Sequence, residues 1–132
     1  MNKTIVVTAS ILGMFSIILG AFGAHTLKEL IPFESQQAFE TGVRYQMYHA
    51  LLLLFIGSTN LVQQKTKKII YYLVVVGLIL FSGSIYGLAT NELSMFNFKS
   101  IGFITPIGGL SLIFAWIFLF IDFIKNSSKK QI

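Results

Sequence analysis

The chain contains no cysteine. Disulfides, thiolate metal centres and cysteine nucleophiles are thereby excluded. Histidine is scarce too. His25 and His49 are the only two, so a zinc site built mainly on imidazole is not expected. Charge is the most telling shortage: charged residues make up 11% of the chain and hydrophobic ones 55%. Soluble domains carry about 25% charged residues. A chain of 132 residues with mean hydropathy +0.76 cannot cover that much apolar surface with polar groups, so lipid must be its solvent. The length suits one domain over residues 1–132.

What remains is four apolar runs, at about 4–24, 43–62, 69–89 and 101–124. Each approaches the roughly 20 residues that a helix needs to cross the hydrocarbon core. Backbone groups in lipid must bond within their own segment, and the alternation of a membrane barrel is absent, so the fold class is all-α, a four-helix transmembrane bundle. The first run is too long for a signal-peptide core and lacks a clean cleavage site, so it reads as a retained span.

The net charge of +5 is no nucleic-acid signal, because the basic residues lie between and beyond the apolar runs and form no stripe with aromatics. They orient the helices instead. Lys3, Lys65, Lys67, Lys68, Lys125, Lys129 and Lys130 fall on one side, and Lys28, Arg44 and Lys99 on the other. Seven against three places both termini in the cytoplasm of a bacterial cell membrane, with Glu29, Glu34, Glu40 and Glu92 outside.

Connections follow. After the break at Pro32, residues 33–42 mix apolar with polar side chains and read as a short interfacial helix continuing into the second span. A tight basic turn occupies residues 63–68, a second outer loop 91–100, and a polar, frayed tail 126–132. Thr105 can cap a helix whose first residue is Pro106, with 101–104 as an approach; the alternative is a continuous helix kinked at the proline. Small residues at intervals of four mark helix contacts within the bundle or between copies: Ser16, Gly20 and Ala24; Gly83 and Gly87; Ser111 and Ala115 below Gly108 and Gly109.

Depth sorts the polar residues. His25, Arg44, Gln46, His49, Ser82, Ser84, Tyr86 and Thr105 all fall in the outer half, and the inner half reads as aliphatic and aromatic. Asp122 is the exception, taken as a solvated pair with Lys125 three residues on. On the second span Glu40, Arg44 and Tyr48 are spaced by four, as are Tyr45 and His49, so Arg44 can pair with Glu40. The candidate cluster is His25, Glu40, Arg44, Gln46, Tyr48, His49, Ser84, Tyr86 and Thr105. Each has a bland reading: His49 bonded to a neighbouring helix, His25 as an interfacial residue, Arg44 with Glu40 as a clamp.

Four blocks carry a resemblance: GAFGAH at 20–25 followed by Leu27 and Lys28, FETGVRYQMYHA at 39–50, FSGSIY at 81–86 and GFITPIGG at 102–109. Together they resemble the YgdD/YwdK-like family of small bacterial membrane proteins (domain of unknown function 423), over nearly the whole chain. The resemblance implies a four-helix membrane protein and no particular activity.

Three function classes follow. The expected one is a non-enzymatic binding or assembly protein, whose outer rim meets membrane lipids, a membrane protein partner or further copies of itself. The second is a small transporter or channel, against which the apolar inner half counts. The third is an enzyme or haem protein. His25 sits at the membrane edge, awkward for ligating a haem with His49, and no nucleophile–base set or carboxylate pair is present. No catalytic residue and no cofactor are expected.

Overall fold

Helices satisfy the backbone inside each apolar run, and the chain accordingly forms α1 (Asn2–His25), α2 (Phe33–Ser58), α3 (Gln64–Ala89) and α4 (Ile104–Lys130). This computed structural model describes residues 2–93 and 102–130. Short 3-10 turns at Leu27–Glu29 and Asn91–Leu93 follow α1 and α3. The remainder of the expected second outer loop and the expected start of the fourth span at residue 101 lie outside the described residues.

Helix order equals packing order: α1 packs on α2, α2 on α3 and α3 on α4. Neighbours run antiparallel. Gly57, near the end of α2, faces Ile5 and Val6, while Gly23 near the end of α1 faces Phe39. Thr66 likewise meets Asp122, and Ser84 meets Thr105. Six side chains with no exposed surface (Ile5, Leu53, Ile56, Ile70, Val74 and Ala115) centre the larger core at the end where the α2–α3 turn lies. A smaller core of Leu27, Ile31, Phe39 and Ala89 closes the opposite end.

α1, α3 and α4 are long and apolar enough to span a membrane. α2, equally long at 26 residues, falls short because polar side chains fill its first half. Like α3 it lies between two others, and it buries Gln46 against α1 and α3 and His49 toward Trp116 of α4. Residues 33–42 are the first turns of this uninterrupted helix. Phe39 is buried there, and Gly42 lies so close to Tyr86 that a Cβ would come within 2.7 Å of the ring. The segment therefore packs on its neighbours as well as leading into the span.

Small residues set the closest approaches. At Gly23 a Cβ would lie 3.0 Å from Phe39, and at Gly77 2.7 Å from Leu112. Gly108 meets α3 backbone to backbone: its Cβ would stand 2.7 Å from the Leu80 carbonyl carbon and 2.8 Å from Gly77 O. Gly83 and Ala24, expected on contact faces, are exposed. The helix α4 also differs from expectation at both ends. It begins at Ile104, so Pro106 sits in the first turn where its missing N–H is harmless, and it continues to Lys130 through the expected tail.

Candidate functional site

Gln46 projects from α2 into the α1–α2–α3 seam, 6% exposed. Its Nε2 donates to Leu12 O at 2.9 Å, and its Oε1 accepts from the Tyr86 hydroxyl at 2.7 Å. Ser16 donates to the same Leu12 carbonyl at 2.8 Å, and Ser82 donates to Gly42 O at 2.8 Å. This knot ties three helices inside the bundle, where each unmet polar group is expensive.

His49 is bonded on both ring nitrogens. Nδ1 lies 2.7 Å from Tyr45 O, and Nε2 lies 3.2 Å from Trp116 Nε1. An indole nitrogen only donates, so Nε2 accepts and the proton sits on Nδ1, donated to the carbonyl. The imidazole is thereby a neutral strut between α2 and α4, with no lone pair left for a haem or metal. Among the described residues no group of three or more His, Asp or Glu could hold a metal ion.

Ser84 and Thr105 share a hydrogen bond that clasps α3 to α4. Thr105 thus turns its hydroxyl sideways rather than capping its helix, because α4 starts before it. His25 is exposed at the last position of α1.

Like His25, the other three members of the sequence-derived cluster do not join this interior. Glu40, Arg44 and Tyr48 lie along the exposed face of α2. Arg44 Nη2 donates to Thr41 Oγ1 at 3.4 Å, and no ion pair joins it to Glu40. One cluster by depth is therefore two by direction: a satisfied interior and an outward stripe.

A second polar group was missed. Lys67, with no exposed surface, donates to Thr59 O at 2.6 Å and Asn2 Oδ1 at 3.3 Å, closing the C-terminal end of α2. Asp122 is not solvated as expected; it is 3% exposed and accepts from the Thr66 hydroxyl at 2.7 Å. One turn deeper, Thr8 and Tyr71 share a 3.0 Å hydrogen bond. The half of the bundle expected to lie inward is thus less apolar than its composition suggested. Periodicity held the signal: the buried positions Ile70, Val74 and Leu78 extrapolate back to Lys67, and Leu112, Ala115 and Leu119 forward to Asp122.

Comparison with known proteins gives a consistent picture. The family described as a protein of unknown function (DUF423) matches residues 19–109. The UPF0382 membrane protein YwdK of Bacillus subtilis is 35% identical over 125 residues, 93% of this chain and 98% of its own length. A UPF0382 membrane protein of Haemophilus influenzae is 33% identical over 127 residues, covering 96% and 98%. The UPF0382 inner membrane protein YgdD of Escherichia coli is 30% identical over 131 residues, covering 97% and 95%. No solved structure matches the chain.

Proposed function

Since this chain belongs to the DUF423 family of small bacterial membrane proteins, we propose that it works without catalysis, as an assembly bundle whose outward α2 stripe docks a lipid headgroup or a partner protein. One observation carries the reading. Arg44 is exposed on α2, and among the described residues its hydrogen bond goes to Thr41. Phe39 marks the level at which α1 ends, through its contact with Gly23, and Arg44 lies about 7 Å further along α2. A guanidinium at that depth costs a few kcal/mol or more unless it snorkels or meets an anion. It presents five donors in a planar fork suited to phosphate or carboxylate. Tyr48, 51% exposed and one turn deeper, offers a ring and hydroxyl beside it. Gln46, His49, Ser84, Tyr86 and Thr105 direct their hydrogen bonds to the protein itself, which supports a structural interior over a reaction centre.

A photo-crosslinking amino acid placed at Tyr48 in cells tests this. The expected outcome is a discrete lipid or protein adduct, lost when Arg44→Gln is added, with thermal stability in detergent unchanged. Adducts that persist in Arg44→Gln would remove Arg44 from the docking face.

A second reading, a small transporter or channel, gains from the Thr8–Tyr71, Lys67–Asn2 and Thr66–Asp122 bonds in the inner half. The first two of these continue the α1–α3 seam below Gln46. Proteoliposome flux decides: no ion or proton leak above empty vesicles would end that reading.

A further inference from the structure

We propose that the end of the bundle bearing the α2–α3 turn binds the phosphate of an anionic phospholipid, in a cleft between the start of α3 and the end of α4. The cleft has a volume of about 290 Å³. Its polar wall is Gln63, Lys65 and Thr66 at the start of α3 with Asp122 and Lys125 from α4; Ile69 and Phe118 belong to its apolar wall.

The lysines of the turn do three different things. Lys67 is consumed inside, on Thr59 and Asn2. Lys68 is exposed and does not line the cleft. Lys65 does line it, facing Lys125 of the other helix. Among the described residues, neither Lys65 nor Lys125 has a hydrogen-bond or ion-pair partner. Asp122 is the carboxylate that faces this pair. It is recessed, with Oδ1 on the Thr66 hydroxyl, while both lysines are exposed. Two cations against one anion leave the lining positive. The first turn of α3 adds to this field, because it carries no acidic residue and Gln63 gives it no side-chain cap.

The vertical order of the walls selects the source of the phosphate. Ile69 lies one turn deeper than Lys65 on α3, and Phe118 two turns deeper than Lys125 on α4. Cationic groups thus stand above an aliphatic and aromatic floor. A phospholipid has that order, phosphate above acyl chain, and a free phosphate has no use for the floor.

The test uses the purified full chain in detergent, titrated with dioleoyl-phosphatidylglycerol or dioleoyl-phosphatidylcholine and read by native mass spectrometry. The anionic lipid should bind about 25-fold more tightly, since each lysine near a lipid phosphate contributes about fivefold. Lys65→Gln and Lys125→Gln should each cost about fivefold, and the double variant should lose the preference. Lys68→Gln should retain it. All titrations are made in an Arg44→Gln background, so that lipid docked on the α2 stripe does not enter the reading and the two outcomes stay separate. Equal binding of the two lipids overturns the proposal, as does a double variant with its preference intact. Displacement of the lipid by millimolar inorganic phosphate would reassign the cleft to a free anion and overturn it too.

Discussion

The Gln46 carboxamide is used at both ends, donating to α1 and accepting from α3. Gln46→Leu keeps the volume near and removes both bonds, stranding the Tyr86 hydroxyl in the α1–α2–α3 seam. Interhelical hydrogen bonds in membranes contribute about 0.6 kcal/mol on average and up to about 1.7. We therefore expect Gln46→Leu to destabilise the bundle by about 1–2 kcal/mol, measured by reversible unfolding in mixed micelles. Adding Tyr86→Phe should return part of that loss, because no polar group is then left without a partner. Strictly additive effects would mean the two side chains do not act as a pair. The sequence placed both residues at similar depth but could not join them, since depth follows from charge counts and direction does not. The same blindness merged Arg44 with His49. It also gave Lys67 the meaning of Lys65 and Lys68, although the helical repeat of buried positions on α3 singles Lys67 out.

At the scale of the element, spacing reveals that a helix has a small-residue face but not which neighbour covers it. Gly83 and Gly87 carried the same motif as the residues around Gly108. Gly83 is exposed, whereas Gly108 touches the α3 backbone at Leu80 and Phe81, and its counterpart is Gly77 on the other helix. A pattern within one helix cannot show a pairing between two. Backbone cannot yield as a side-chain tip can, so Gly108→Ala must push α3 and α4 apart along their shared length. The expected cost is about 1–3 kcal/mol, with a lowered melting temperature in detergent. Gly83→Ala, with its nearest atom 3.9 Å away, should be neutral or stabilise by up to about 1 kcal/mol through helix propensity. If Gly83→Ala proves the more damaging, its face is covered by another molecule. The helices themselves were legible because each apolar run was long. α2 was extended by its amphipathic start, where Glu34 in the first turn and Pro32 before it favour a helix although the residues are too polar for a span.

For the whole molecule, the antiparallel order has a consequence that no single helix carries. Four helices bring both termini to one end, together with the α2–α3 turn; Lys67 reaching Asn2 and Thr66 reaching Asp122 fasten all three regions there. Among the described residues Lys3, Lys65, Lys68 and Lys125 therefore stand at one charged end rather than as scattered flanks, so the bias expected from the sequence should act on the bundle as a unit. That end should face the cytoplasm, where the leaflet's anionic lipids can meet Lys65 and Lys125, and Arg44 should lie toward the exterior. The lack of cysteine makes the orientation directly measurable. Thr26→Cys and Asn60→Cys each place one thiol at an exposed position, at opposite ends of the bundle. A membrane-impermeant maleimide should label Thr26→Cys in intact cells and Asn60→Cys only after the membrane is opened. The reverse pattern would set the basic end outside against the charge bias, and would deprive the cleft between α3 and α4 of the lipid leaflet it needs. Labelling of both thiols in intact cells would mean two orientations coexist. A seven-to-three bias would then be too weak to decide insertion, and the α2 stripe and the lysine cleft would each be exposed to both leaflets.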